Sequence, residues 1–446
     1  MIIKNAAELA TTELRKKALE IIEAGINRVL PQSIMKTALS CDSVNRSLKV
    51  NKVTYDISKG RLFVIGGGKA AGRMAETLEN IISAENISAG TVNCNSGDYK
   101  TTRIEIIEAG HPIPDKKGIR GVEQMLALKS KYLMSRDDLV VCLISGGGSA
   151  LMPSPVDEVS FEDKQKVTEL LLGCGADIYE INAVRKHISK IKGGRFGSFY
   201  SPTRVVSLII SDVAGDALDV IASGPTFADS STFQDAYSVL KKYNLLVKAP
   251  ESVVMYLKKG REGKVEETPK NLTNCDNHII GNNRLALEAM SEKAKETGFT
   301  PIIVTAEQKG TTDDVARMRA SEILKGEYKN SAILVGGETT PELPENAGKG
   351  GRNQHYAAAS LLEMKTYPGE WVVASVGTDG SDFLRDVAGA IVDNNSLDSA
   401  KARGIDVQSY LDRYDSNTLL NEIGGSLVIT GETGTNVSDV ILYLLK

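Results

Sequence analysis

The stretch LFVIGGGKAAGRMAE, residues 62–76, decides the fold. Leu62 to Ile65 form an unbroken apolar run, as in a strand buried on both faces. Glycines 66–68 follow, and then an amphipathic helix begins. Strand, glycine turn and helix are the building unit of a parallel α/β sheet. The odd residue is Lys69. Helices are usually entered through Ser, Thr, Asp or Asn, and a cation there meets the positive end of the helix dipole.

Outward from this unit the pattern repeats. Strands are predicted at 61–66, 89–94, 103–109, 139–145 and 205–211, with helices near 69–83, 115–133, 160–173 and 177–191. The second half predicts strands at 278–281, 301–305, 332–337, 371–377, 388–393 and 426–430. The polar segment LKKGREGKVEETPKNLTNCDN (257–277) reads as a linker. The expectation is two α/β domains, residues 1–265 with a Rossmann-like, mostly parallel sheet and residues 275–446 as a second α/β domain.

The chain has 446 residues, with 53 Lys plus Arg against 57 Asp plus Glu, a formal net charge of −4. General nucleic-acid binding needs a basic surface and is not expected. A site for an anion must therefore gather its positive charge locally. Five cysteines without CxxC spacing give no zinc signature and fit a reducing compartment. No apolar run approaches a membrane span, and the N-terminal stretch does not read as a secretory signal. The expected location is the cytoplasm, with small-molecule partners, no membrane contact and a homo-oligomer open to it.

Ligands of open α/β sheets bind beyond the carboxyl ends of the strands. There the chain places GGGKAAG (66–72), SGGGSA (145–150), SDVAGD (211–216), GGETT (336–340) and GTDG (377–380). Glycine strips side chains from such loops, so backbone N–H groups can approach an anion. On that ground Gly67, Gly68, Ser145, Gly146, Gly147, Gly148 and Ser149 are expected to bind phosphate or a carboxylate. The first loop also satisfies G-x-G-x-x-A loosely, but no acid closes the next strand as a ribose partner. Neither loop is a P-loop.

Lys69 then has a reason: a phosphate at that turn would meet a cation and several donors together. A second cationic loop, GKGGRNQ (348–354), offers Arg352, whose planar fork suits phosphate or carboxylate, followed by Asn353 at a helix entry. The basic segment INAVRKHISKIKGGR (181–195) adds Arg185, Lys192 and Arg195, at least one of them an expected anion contact. Asp212 and Asp379 end strands among these loops, where an acid must hold Mg²⁺ or take a proton.

The ordered set VIGGGKAAGRMAE, EAGHPIPD, ISGGGSALMPSP, NAVRKHISKIKGGR, ISDVAGDALDVIASGPT, GGETT, GKGGRNQ, SVGTDGSD and GTNVSD resembles the motif series of the class II glycerate kinases, the glycerate 2-kinase or MOFRL family. It runs from about residue 60 to 440. The resemblance implies ATP-dependent, Mg²⁺-assisted phosphorylation of D-glycerate, usually at the 2-hydroxyl, in a cleft between two α/β domains. It implies catalytic roles for Lys69 and Arg352 and places Asp212 and Asp379 in or near the active site, as base or metal ligand. Two segments depart from the family pattern, VNCNSGDYK (92–100) and the inserted Phe383, Leu384 and Arg385. Two other functions compete: a nicotinamide-dependent hydroxypyruvate reductase using the first loop, and a non-catalytic sugar-acid sensor.

Overall fold

A computed structural model describes all 446 residues. They form two compact units, Ile34–Ile280 and a second made of Met1–Ser33 with Gly281–Lys446.

The first unit starts with a small antiparallel meander, β1 (Leu39–Asp42), β2 (Ser47–Val50) and β3 (Val53–Asp56). Its main sheet contains β4 (Leu62–Gly67), β5 (Ile87–Cys94), β6 (Ile104–Glu108), β7 (Leu139–Ile144), β8 (Arg204–Ile210) and β9 (Cys275–Gly281), in the order β6-β5-β4-β7-β8-β9. The pairs from β6 through β8 are parallel. Every residue of β4 and β7 is buried, which is why their sequences run apolar without alternation. The helix Ala71–Ile82 buries Ala71, Met74, Ala75, Leu78 and Ile82, one stripe at helical spacing. From β4 the chain winds outward one way to β5 and β6, then crosses back to β7 and winds the other way. The strand order reverses between β4 and β7, so the loops after these two strands adjoin at the switch point of the sheet. A separate apolar cluster, including Val167, Leu171, Ile181, Val184, Phe233 and Leu240, joins the helices Phe161–Gly173, Ile178–His187 and Phe233–Lys242.

The second unit holds a mixed sheet of β10 (Thr300–Gln308), β11 (Ser331–Gly337), β12 (Trp371–Gly377), β13 (Gly389–Asp393), β14 (Leu427–Val428) and β15 (Asp439–Leu445), ordered β10-β11-β15-β12-β13-β14. Only β10 and β11 pair in parallel; the other four pairs are antiparallel. The C-terminal strand, absent from the sequence expectation, lies at the centre. Its first residue, Asp439, stands opposite Gly337 of β11 and Gly377 of β12.

Both expected domain boundaries require correction. The helix Glu13–Arg28 buries Leu14, Ala18, Ile21, Ile22 and Ile26 within the second unit. There Arg15 forms a buried ion pair with Asp393 at 2.8 Å, and Gly25 leaves room for Met290. The polar segment before β9 belongs to the first unit. Glu267 accepts from His187 or shares its proton at 2.8 Å, and Thr268 donates to Asp229 at 3.0 Å. These polar side chains are engaged with the body of the unit, and β9 is an edge strand of its sheet rather than the start of the next.

Candidate active site

In the first unit the two glycine loops lock together. The amide of Lys69 donates to the Gly146 carbonyl at 2.8 Å, and Gly68 donates to Asn93 at 3.1 Å. Ala70 donates to the Ser145 hydroxyl at 3.0 Å. A Cβ on Gly68 would lie 2.2 Å from that hydroxyl oxygen, at a φ of +150°, so glycine is required by the close approach and by the backbone. The amide of Gly148 is likewise turned to the Ser145 carbonyl. These contacts engage Gly68, Ser145 and Gly148, three of the expected loop residues, within the unit itself. Gly67 is buried within β4, Ser145 is 1% exposed, the Gly68 amide is spent on β5 and that of Gly148 within its own loop, while the amides of Lys69 and Ala70 brace one loop against the other.

In the middle of the second loop Gly146 is buried and Gly147 half-buried, and side chains from other loops lie against both. A Cβ on Gly146 would meet the Asp212 carboxylate at 2.0 Å; one on Gly147 would meet His111 Nε2 at 2.9 Å and the Lys69 side chain at 3.2 Å. Lys69 and Asp212 thus rest on neighbouring glycines of one loop, with His111 alongside. His111 is pushed down to about 4 by burial and by the nearby Lys69 ammonium, so it is neutral at pH 7. Gly147 and Ser149 also line a pocket of about 340 Å³ with His111, Lys164 and Arg185.

Lys192 is buried behind this loop. Its Nζ donates to the Ser149 carbonyl at 3.1 Å and lies 3.4 Å from the Ser149 hydroxyl. Its pKa is driven well down by burial and then by Arg185 and Lys164. Lys192 thereby positions Ser149. The Arg195 guanidinium donates to the Glu266 carbonyl at 3.2 Å.

In the second unit the ends of β11, β12 and β15 converge. Arg352 opens the helix Arg352–Glu363 and binds Asp439 through two nitrogens, at 2.6 and 3.0 Å. Glu338, just past β11, holds the same guanidinium at 3.0 Å. Burial opposes the charge, but Asp439 and Glu338 outweigh it and raise the Arg352 pKa. Asp379 joins this group: its carboxylate and that of Asp439 would each lie 3.4 Å from a Cβ on Gly377. Asp382 has a different task. It accepts the amides of Asn353 at 3.0 Å and Gln354 at 2.8 Å, fastening the helix that carries Arg352.

Asn353 is enclosed within its own unit. It is 1% exposed, donates to Asp382 and accepts from Ser375 at 2.6 Å, so its amide is consumed inside the unit. Sequence reasoning missed Lys164 and Asp439. Lys164 had a signal, since it shares the i, i+3, i+7 core stripe of its helix with Val167 and Leu171. Asp439 had one too, because it closes GTNVSD at the head of an apolar strand. Neither Asp212 nor Asp379 belongs to a set of three or more side chains arranged as a metal site.

Residues 17–258 match a family described as a domain of unknown function, DUF4147, and residues 331–439 match the MOFRL family. A glycerate 2-kinase of Pyrococcus horikoshii is 40% identical, covering 87% of this chain and 88% of the relative. A D-glycerate 2-kinase of Thermotoga maritima is 38% identical over 97% of this chain and 98% of its own length. One relative, from Agrobacterium vitis, bears a provisional hydroxypyruvate reductase name at 37% identity, covering 86% of this chain and all of the relative. The crystal structure of a glycerate kinase from Thermotoga maritima superposes with a TM-score of 0.84 at 37% identity, covering 97% of this chain and 99% of that one. The chain belongs to the class II glycerate kinases, the family that joins a DUF4147 domain to a MOFRL domain.

Proposed function

We propose that this protein is a glycerate kinase that transfers the γ-phosphoryl group of ATP to the 2-hydroxyl of D-glycerate, giving 2-phospho-D-glycerate and ADP. The observation that carries this reading is the pairing of Lys69 and Asp212 on Gly147 and Gly146 of one loop at the switch point of a parallel sheet. A cation and an acid side by side suit a reaction in which one oxygen gains a phosphoryl group and loses a proton. The names of the two kinase relatives point the same way.

In this reading Lys69 neutralises charge on the transferring group, and Asp212 accepts the proton of the acceptor hydroxyl. Arg352, held by Asp439 and Glu338, keeps the remainder of its fork for an anionic oxygen of the substrates. Mg²⁺ bound to ATP takes most of its ligands from phosphates and water, so one carboxylate is enough from the protein, and Asp379 is the candidate. When bound, the ion would supply neutralisation of phosphate charge.

The reductase reading is weaker on physical grounds. The strand after the first loop ends on Asn93 and Cys94, and the Asn93 amide donates to the Gly118 and Leu151 carbonyls inside the unit. It offers no acid to a ribose, and the loop amides that would face a pyrophosphate are engaged with the second loop. The deciding experiment incubates the protein with ATP, Mg²⁺ and D-glycerate, measures ADP, and separates 2- from 3-phosphoglycerate. ADP with 2-phosphoglycerate is expected. Absence of ADP, together with oxidation of a reduced nicotinamide by hydroxypyruvate, overturns the proposal.

A further inference from the structure

We propose that Lys164 and Arg185 form an oxyanion-binding subsite beside the Ser145–Ser149 loop, taking either the carboxylate of the acceptor acid or a phosphate of the nucleotide. The inference rests on the phosphotransfer reading and extends it to residues outside the Lys69 and Arg352 loops.

Lys164 sits on the buried stripe of the helix Phe161–Gly173 and is 6% exposed. Its Nζ is buried and has no hydrogen-bond partner. An ammonium in that position is expensive unless something arrives to pair with it. Arg185, from the helix Ile178–His187, lines the same pocket, as do His111, Gly147 and Ser149. Lys192 stands behind Ser149.

The electrostatics of the group are one-sided. Burial, and then Arg185, pushes Lys164 down to about 7. Burial brings Arg185 to about 10, while Lys192 is depressed by burial and by both of the others. The one acid in the lining is Glu169, which lies 3.6 Å from Lys166 on the exposed face of the helix. His111 is neutral at pH 7. Positive charge on Lys164 and Arg185 is therefore mutually opposed, and an oxyanion would pair with both and restore the proton to Lys164.

The remaining wall suits the uncharged part of a ligand. Pro112, Ile113, Pro114, Phe161 and Leu172 line the pocket, and Ile113 and Leu172 are 73% and 67% exposed at its rim. Large apolar side chains left open beside a buried cation are the composition of a ligand pocket rather than of a surface.

The test uses the full chain with Lys164→Met, Lys164→Arg and Arg185→Gln. Steady-state kinetics should show a rise of about 10–100-fold in one KM with kcat changed by less than about threefold. A rise in the KM for D-glycerate identifies the carboxylate; a rise in the KM for ATP identifies a phosphate. Lys164→Arg should recover part of the loss, which a merely structural defect would not. Thermal unfolding with D-glycerate alone, Mg-ATP alone or inorganic phosphate alone reads binding without turnover. The wild-type rise in Tm with one of these should vanish in Lys164→Met. Should Lys164→Met fail to fold, Arg185→Gln, on a partly exposed residue, gives the same two readouts. Unchanged KM values and wild-type ligand-induced Tm shifts in the folded variants overturn the subsite. If the wild-type protein lacks kinase turnover, the phosphotransfer reading fails, and the thermal shifts still decide the subsite.

Discussion

The two units handle positive charge in opposite ways. In the second unit Arg352 is gripped by Asp439 and Glu338, with Asp379 close by, so the cation is neutralised before any ligand arrives. In the first unit Lys164, Arg185 and Lys192 crowd one another, and the acid in their pocket is turned to a lysine on the outer face. The first arrangement fixes the direction of a guanidinium; the second stores an electrostatic deficit that an anion relieves. One region is built for aim, the other for capture.

Removing the aimed or transferring cation should hurt most. Lys69→Ala and Arg352→Ala are each expected to lower kcat about 10³-fold or more, because such a cation acts on charge developed in transfer. Circular dichroism should confirm an intact fold. A folded variant retaining near-full turnover would remove that residue from the mechanism.

Loosening the grip should be milder. Asp439→Asn leaves Arg352 to Glu338 alone and should lower kcat about 10–100-fold with little change in either KM. A rise in KM without a fall in kcat would move Arg352 from the transition state to ground-state binding.

The deficit in the first unit predicts a gain in stability. Lys164→Met removes a buried unpaired ammonium and should stabilise the ligand-free protein by about 1–4 kcal/mol at pH 7 or below, measured by urea unfolding. The sign with pH follows from the depressed value. The unfolded chain keeps the lysine proton up to about 10.5, whereas the folded chain loses it near 7. Between those values the unfolded state binds more protons, so wild-type stability rises with pH and the gap to the variant closes. A gap constant from pH 6 to 10 would contradict the buried charge.

The smallest effect belongs to Arg195. With its fork on a backbone carbonyl, Arg195→Ala should change kcat/KM by less than about threefold. A larger loss would restore the ligand contact expected from its place in the basic segment.

The apolar runs of β4 and β7 and the helix after β4 were legible because one buried strand and one amphipathic stripe each have a period that a single segment displays. Lys69 and Arg352 stand out in the sequence for a related reason, since each places a cation at a helix entry, while the roles proposed for them await the variants above. The contact of Asn353 with Ser375 was not legible, because an amide after a glycine loop looks the same whichever partner it meets. The polar run before β9 misled because pairing of its side chains with His187 and Asp229 leaves no mark in composition.

By itself the sequence determined the alternation of strands and helices and the glycine turns that follow the strands. It also determined which turns carry a cation or an acid, since these are local properties of backbone and side chain. Only the tertiary structure decided that the first 33 residues pack with the C-terminal unit, that β15 runs through the centre of its sheet, and that Asp439 meets Arg352 across 87 residues of chain. It also decided that a lysine on a core stripe faces a pocket instead of a partner. Those outcomes depend on which surfaces bury one another, and that free energy belongs to the assembled fold rather than to any segment of it.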